Sequence, residues 1–218
     1  GGPGRQVRRC RDRSAIAVCC EGRGKTIRRR AEDKKKDKGM EKIWLKSYPE
    51  GIPAEIGPLA ESSLGELMDK ACRRHADQTA YLSMGIGLSY AELDRQSAAF
   101  AGWLQSIGIG KGARVALMMP NLLQYPVCMF GALRAGCVVV NCNPLYTPRE
   151  LEHQMRDSGA EVMVVVENFA HTVEQILPRT SLRHVVVTSM GEMLGPKGLL
   201  VNLLVRHVRK LVPPWRIP

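Results

Sequence analysis

The sequence lacks long apolar runs, and this argues against a large class of proteins. No apolar stretch reaches the roughly 18 residues that a membrane-spanning helix needs, because Arg134 interrupts the nearest candidate. The basic N-terminus is not followed by the apolar region and small-residue cleavage site of a secretory signal. We therefore expect a cytoplasmic protein without a membrane span.

Cysteine pairs at metal-binding spacing are also missing. The sequence contains no CxxC motif and no histidine at zinc-finger spacing from a cysteine, which argues against a metal site of that kind. The seven cysteines are Cys10, Cys19, Cys20, Cys72, Cys128, Cys137 and Cys142. Three of them lie in or beside one apolar segment, which predicts reduced, buried thiols, since secreted chains more often place an even number of cysteines in loops.

The chain has a net charge of +11, and most of this excess of basic over acidic residues lies in its first part. Residues 1–39 contain 14 Lys or Arg and 5 Asp or Glu, whereas residues 40–218 contain 18 and 16. We expect residues 1–39 to be a disordered or non-native leader, because their composition cannot bury enough apolar surface to fold, and Met40 to be the biological start. The alternative is a genuine basic arm that binds nucleic acid or anionic lipid through charge.

Strands and helices alternate most clearly in the middle of the chain. Residues 113–119 are almost wholly apolar, residues 122–135 carry apolar residues at helical spacing, and residues 137–141 are β-branched. Apolar runs without alternation are typical of strands that are covered on both faces. A helix between two such strands is the crossover that a parallel pair requires, so we predict a parallel βαβ unit.

The alternation extends in both directions from this unit. The sequence predicts a hairpin at 79–84, helices at 89–108, 148–158 and 170–177, and strands at 161–166 and 184–189. Together these elements predict the α/β class, with an open, mostly parallel sheet layered with helices.

Three helix starts carry the same pattern. A hydroxyl residue is followed three positions later by glutamate at Ser63-x-x-Glu66, Ser89-x-x-Glu92 and Thr147-x-x-Glu150. Each pattern predicts a capping box, in which the two side chains satisfy free backbone N–H groups of the first turn.

Polar residues follow each predicted parallel strand. They are Asn121, Asn143 with Tyr146, Asn168 and Ser189. Ligands of open α/β sheets bind beyond the carboxyl ends of the strands, so these residues are candidates for ligand contact. Residues of these types are more often turn or cap residues than ligand contacts, and that interpretation is the preferred one.

The last segment, residues 199–212, is amphipathic. Asn202, Arg206, Arg209 and Lys210 fall on one face of a helix, and Leu200, Leu204, Val208 and Leu211 fall on the opposite face. A basic face opposite an aliphatic face is typical of helices in a membrane interface, so peripheral contact with an anionic membrane is one interpretation. The preferred alternative is a surface helix that packs on its own domain.

Several of these segments resemble a known family. The run LSYAEL (88–93), the helix and strand up to MMPN, and FGALRAGCVVVNCNPLYTPRELEHQ are similar to the N-terminal part of the acyl-activating, adenylate-forming enzymes. Within that superfamily the chain is most similar to bacterial long-chain fatty acid-CoA ligases, from about Met40 onward. The resemblance implies the N-terminal part of the large AMP-binding domain.

The resemblance also implies a two-step reaction. A fatty carboxylate attacks the α-phosphate of ATP with Mg²⁺ to give an acyl-adenylate, and coenzyme A then displaces AMP. The family performs these steps with a phosphate loop rich in Ser, Thr and Gly and with later acidic and basic residues. No run resembling TSGTTGxPKG occurs here. We therefore assign no catalytic, cofactor-binding or metal-binding residue and expect the isolated chain to be inactive and to bind none of these cofactors.

We predict three regions: the leader 1–39, an α/β part of the AMP-binding domain at 40–198, and an amphipathic basic helix and linker at 199–218. The implied partners are a long-chain fatty acid and coenzyme A, with no nucleic acid, and the prediction is compatible with self-association. One alternative is an adenylate-forming enzyme for another carboxylic acid. A second, from a different class, is a non-enzymatic basic module that binds nucleic acid through its leader.

Overall fold

The computed structural model describes residues 41–217, which fall into two units that we treat separately. Residues 41–56 contain one 3-10 helix, Ile43–Ser47. The sheet and the helices discussed below belong to residues 57–217. The predicted leader and its alternative nucleic-acid arm lie outside the described residues.

Strands and helices follow one another in the predicted order. The strands are β1 (Thr79–Ser83), β2 (Ile86–Ser89), β3 (Arg114–Met118), β4 (Val138–Asn141), β5 (Val162–Val166) and β6 (His184–Thr188). The helices are α1 (Leu64–Arg74), α2 (Tyr90–Ser106), α3 (Gln124–Arg134), α4 (Pro148–Ser158), α5 (Ala170–Ile176) and α6 (Pro196–Leu203). Short 3-10 helices at Glu167–Phe169 and Leu177–Arg179 flank α5.

The central sheet is parallel, which confirms the predicted fold class. Its four strands lie in the order β4-β3-β5-β6, and β1 and β2 form a separate antiparallel hairpin. All five residues of β5 are buried, as an apolar run without alternation predicts for a central strand. Strands β4 and β6 are only partly buried, because each pairs on one side.

Helices cover both faces of this sheet. Side chains of α2 and α3 pack with Val115, Leu117 and Val164 on one face, whereas α4 and α5 pack with Ala116 and Met163 on the other. Successive strand residues point to opposite faces, so each central strand contributes to both layers. A third cluster joins α1 and the hairpin to α3 and to Leu194.

Helices α2 and α3 approach each other closely at Gly131. A Cβ atom there would lie 2.8 Å from the Ser97 carbonyl oxygen and 2.8 Å from Cδ1 of Phe100. Ordinary van der Waals contact begins at 3.4 Å. Only a glycine therefore fits at this crossing without displacing α2.

An arginine joins the three helices α1, α2 and α3. Arg134, at the end of α3, forms ion pairs with Asp69 of α1 (2.6 Å) and Asp94 of α2, and also donates to the Asp94 carbonyl oxygen. Its side chain is only 15% exposed. Burial lowers the pKa of Arg134, but the hydrogen bonds that it donates to Asp94 and Asp69, together with their negative charges, outweigh that effect and raise the pKa. The residue serves to hold helices together.

The predicted capping boxes form in one case of three. Thr147 and Glu150 make both hydrogen bonds of a capping box at the start of α4. Ser63 and Ser89 accept the expected backbone N–H bonds, so both cap their helices. The Glu66 carboxylate instead accepts from Ser62, one residue earlier, because the backbone N–H of that residue is within reach at 2.9 Å.

Candidate functional site

The order of the strands predicts a ligand-binding crevice at the carboxyl ends of the sheet. The connection after β3 leads to β4 on one side, and the connection after β5 leads to β6 on the other side. Adjacent strands whose connections leave in opposite directions form the switch point at which α/β sheets bind ligands. Here that point lies between β3 and β5, and Glu167 and Asn168 follow β5 directly.

Glu167 is a buried carboxylate with a single cationic partner. Its side chain is 7% exposed, and Arg206 binds it through Nε (3.0 and 2.9 Å to the two oxygens) and through Nη2 (2.8 Å). The hydrogen bond to Glu167 raises the pKa of Arg206. A buried carboxylate is stable only when paired in this way, so the pair fixes Arg206 over the crevice.

Asn168 forms a hydrogen bond with the end of the last helical turn. Its Nδ2 donates to the carbonyl oxygen of Leu211 at 3.0 Å, while its Oδ1 has no hydrogen-bond partner in residues 41–217. Leu211 follows Lys210, whose φ of 49° closes the preceding turn in the left-handed conformation. Asn168 thus fixes the point at which the last helical turn ends.

Ser189 lies at the centre of a network after β6. Its hydroxyl donates to Glu192 (2.9 Å) and accepts from Nδ2 of Asn202 (3.0 Å). Oδ1 of Asn202 accepts the Gly191 N–H at 2.8 Å. Gln124, which starts α3, donates to the Ser189 carbonyl oxygen at 2.8 Å. The network attaches α6 to the end of β6 and to α3.

The other predicted residues occupy separate positions along this edge. Asn143 accepts the Leu145 N–H at 3.0 Å and is therefore a turn residue. Tyr146 packs partly buried against the α4 side of the core. Asn121 is exposed and lines a cleft of about 270 Å³ beside Tyr81 and Met129. The structure does not bring these three residues into one site with Asn168 and Ser189.

We call residues 196–211 the C-terminal segment. It consists of α6 followed by a π-helical turn, Leu204–Val208, so the predicted helix at 199–212 ends early, at Arg209. The segment packs through Asn202, Val205 and Arg206 onto the crevice. The predicted polar face is therefore divided, because Asn202 and Arg206 bind the protein, while Arg206, Arg209 and Lys210 all stay exposed.

The aliphatic face of the segment points away from the protein. It consists of Leu199, Leu200, Leu203, Leu204, Val208 and Leu211, which are between 45% and 76% exposed. A helix that packs on its own domain normally buries this face. The segment therefore packs on its own domain, as one of the two interpretations of the sequence expected. However, it packs through its polar face and not through its aliphatic face.

Sequence analysis missed Glu167, Gln124 and the role of Arg206. Glu167 could have been noticed as a charged residue directly after a fully apolar strand. Its partner lies 39 positions later in the sequence, and no local pattern connects the two. Gln124 lies in a predicted helix, and no local pattern indicates its contact with Ser189.

The cysteines of the described residues agree with the prediction of reduced, buried thiols. Cys72, Cys128, Cys137 and Cys142 are free and buried. Burial raises the pKa of Cys128 and of Cys142 to about 12. Residues 41–217 contain no cluster of three His, Cys, Asp or Glu side chains that could hold a metal ion. None of their helices is long and apolar enough to cross a bilayer.

Comparison with known proteins identifies one family to which the chain belongs. The model of the family described as AMP-binding enzyme matches residues 68–202. A long-chain-fatty-acid–CoA ligase of Yersinia pestis is 55% identical over 181 residues, which is 82% of this chain and 32% of that protein. The chain thus spans about a third of the length of this curated relative.

Solved structures give the same picture for the fold. A long-chain-fatty-acid-CoA ligase of Archaeoglobus fulgidus aligns with a TM-score of 0.57 and 25% identity, over 67% of this chain and 32% of that one. A benzoate CoA ligase of Burkholderia xenovorans aligns with a TM-score of 0.54 and 26% identity, over 57% of this chain and 25% of that one.

Proposed function

Because the chain belongs to the family of AMP-binding enzymes, we propose that it forms the N-terminal part of a ligase that activates long-chain fatty acids with ATP and transfers the acyl group to coenzyme A. The observation that carries the proposal is the 55% identity with a long-chain-fatty-acid–CoA ligase over 82% of this chain. The structures of two CoA ligases with different acids align at 25% and 26%, so overall fold similarity does not discriminate between substrates.

The proposed reaction brings together a carboxylate and a triphosphate. Their negative charges repel, so a ligase of this kind needs Mg²⁺, cationic side chains and backbone N–H donors at the reacting phosphate. Residues 41–217 do not fit that requirement. They contain no cluster of three metal-ligating side chains, and the buried carboxylate at the crevice is already paired with Arg206. We therefore derive no step with ATP, Mg²⁺ or coenzyme A from these residues.

The role that we propose for this part of the ligase is that of a scaffold. Two helices on each face fix the four-stranded sheet, and Arg134 ties α1 to the α2–α3 pair. We retain the division into a leader (1–39), an α/β part (40–198) and a basic amphipathic part (199–218) as a proposal. It rests on the change of composition near residue 40 and on the pattern of the last 20 residues.

Exchange of radioactive pyrophosphate into ATP tests the proposal. The 218-residue chain alone should give no fatty-acid-dependent exchange above background, because it has no phosphate loop. A chimera in which residues 41–218 replace the corresponding part of the Yersinia pestis ligase should give exchange with a long-chain fatty acid. A matched chimera that carries the corresponding part of the Burkholderia xenovorans benzoate ligase serves as the control for scaffold compatibility.

Two results would contradict the proposal. Fatty-acid-dependent exchange by the 218-residue chain alone would show that the chain carries reactive groups that we have not assigned. A soluble, folded chimera without exchange, alongside an active benzoate-ligase control chimera, would show that this chain is not a long-chain ligase scaffold. The runner-up, a ligase for another carboxylic acid, predicts that this chimera matches the benzoate-ligase chimera in its exchange with fatty acids and differs from the original Yersinia pestis ligase.

We also propose that the chain makes peripheral contact with a membrane through its C-terminal segment. The exposed aliphatic face of that segment supports the proposal, as does the absence of acidic residues between positions 196 and 211. From the sequence alone, the contact is expected at a basic face that includes Arg206. Arg206 is paired with Glu167, although its side chain stays 46% exposed, so the pair weakens the attraction of Arg206 to anionic lipid without removing it from the surface.

A further inference from the structure

We propose that the C-terminal segment is a lid over the carboxyl ends of β5 and β6, and that the ion pair between Glu167 and Arg206 is its latch. The segment alternates between the closed position of the structure and an open position in which the side chains of Glu167 and Asn168 reach solvent. This inference goes beyond the proposed function and does not depend on which carboxylic acid the ligase activates.

Polar contacts hold the segment closed at three places. Near its start, Asn202 binds the turn after β6. In the middle, Arg206 donates to both carboxylate oxygens of Glu167. At the end, Asn168 donates to the Leu211 carbonyl oxygen. Two of these contacts come from the residues that directly follow β5, so the segment lies across the end of that strand.

Apolar burial contributes little to the closed position. Within residues 196–211 only Gly198 and Val205 are buried, and Val201 packs partly buried against the cluster of α1 and the hairpin. The six aliphatic side chains of the opposite face are between 45% and 76% exposed. An element with few buried apolar contacts opens at a lower free energy than the core of its domain. The segment can therefore open while the fully buried strand β5 stays in place.

The closed position also contains strained backbone. Lys210 has a φ of 49°, which is a left-handed conformation that residues with a side chain rarely adopt. Such a conformation persists only where its surroundings enforce it, and here Asn168 holds the carbonyl oxygen of the next residue, Leu211. The turn just before it, Leu204–Val208, is π-helical, a rare form of helix that occurs mostly at functional sites. Opening releases the strain that the closed position maintains.

The ion pair is suited to act as a latch because its two members differ in exposure. The side chain of Glu167 is 7% exposed, whereas that of Arg206 is 46% exposed. Water already reaches the guanidinium group, so opening costs Arg206 little, and the buried carboxylate then exchanges its partner for water. A pair with one exposed member is partly screened by salt. The closed position should therefore weaken as ionic strength rises.

Native-state hydrogen exchange of the 218-residue chain tests the proposal. The hydrogen-bonded amides of residues 200–209 should exchange about a hundredfold faster than those of β5, because they open without global unfolding. Raising the salt concentration from 50 to 500 mM should speed their exchange about threefold and leave the amides of β5 unchanged.

Three variants separate a latch from a merely structural contact. E167Q keeps the shape of the side chain but removes its charge, so it should speed exchange of the segment about tenfold and abolish the salt dependence. K210G relieves the left-handed strain and should slow the exchange about threefold. R209Q is the matched control, because it removes an exposed cation from the same segment, and it should leave the exchange unchanged.

Several results would overturn the proposal. One is exchange of residues 200–209 at the same rate as β5, because the segment would then open only when the whole domain unfolds. Equal rates for E167Q and R209Q would show that the ion pair is no latch. Loss of protection in β5 as well as in the segment of E167Q would assign Glu167 to the stability of the sheet. None of these results bears on the pyrophosphate exchange of the chimera, so the ligase proposal stands or fails separately.

Discussion

The packing of α2 against α3 makes a quantitative prediction at Gly131. Replacing this glycine with alanine brings two opposing effects. Alanine is favoured over glycine in a helix interior by about 1 kcal/mol. The added Cβ, however, would lie 2.8 Å from the Ser97 carbonyl oxygen and from the Phe100 ring, about 0.6 Å closer than ordinary contact allows.

The steric effect should win. A ring can rotate, but the Ser97 carbonyl belongs to the backbone of α2 and moves only with the helix. Overpacking of this kind costs about 1 to 3 kcal/mol, and the backbone contact argues for the upper part of that range. After subtraction of the helix-propensity gain, G131A should lower the free energy of unfolding by about 1 to 2 kcal/mol.

Gly102 provides the matched control. It lies in α2, it is exposed, and no atom lies within 4 Å of a Cβ built there. G102A should therefore raise the free energy of unfolding by about 0.5 to 1 kcal/mol. Urea unfolding followed by circular dichroism and by tryptophan fluorescence gives the midpoints, and Trp103 reports on the same helix. If G131A proves as stable as the original chain, the close contact of α2 and α3 is not as we describe it.

Three other measurements test separate features. Replacing Arg134 with methionine leaves two half-exposed aspartates without their cation, so the free energy of unfolding should fall by about 1 to 3 kcal/mol. If lysine at this position restores the free energy of unfolding, the guanidinium fork is dispensable. Burial raises the pKa of Cys128 and of Cys142 to about 12. In the folded chain these two thiols should therefore not react with a disulfide reagent at pH 8, and their fast reaction would contradict the burial. A hydrogen bond from the Ser62 backbone lowers the pKa of Glu66 to about 2. Its stabilising effect should thus be complete above pH 4.5 and lost as pH falls toward 2, and a carboxyl NMR titration near 4.5 would refute the contact.

Local patterns predicted the elements of this fold well. The apolar run at 161–166 became a fully buried strand, and Thr147 with Glu150 formed a complete capping box. Such features depend on residues that are neighbours in sequence, so a single chain suffices to read them. The edge strand β4 is less buried than its β-branched sequence suggests, because burial also depends on which strand lies beside it.

The candidate site could not be predicted from local sequence patterns. Periodicity placed Arg206 on a polar face, but it could not indicate whether that face meets water or protein. The answer depends on Glu167, a charge that the fold places at the switch point from another part of the chain. Only the order of the strands brings the two residues together, and the hydropathy pattern of the last helix is the same in either orientation.

The order of the strands also has a consequence for how the chain acquires its fold. Strand β3 pairs with β4, its nearer neighbour in sequence, and with β5, which arrives only after the chain has passed β4 and α4. Closing the shorter loop is favoured entropically, so the β3–α3–β4 unit can assemble first and offer its free side to β5. The amides of β6, which can pair only after β5 is in place, should then be the last in the sheet to gain protection from exchange with solvent during refolding.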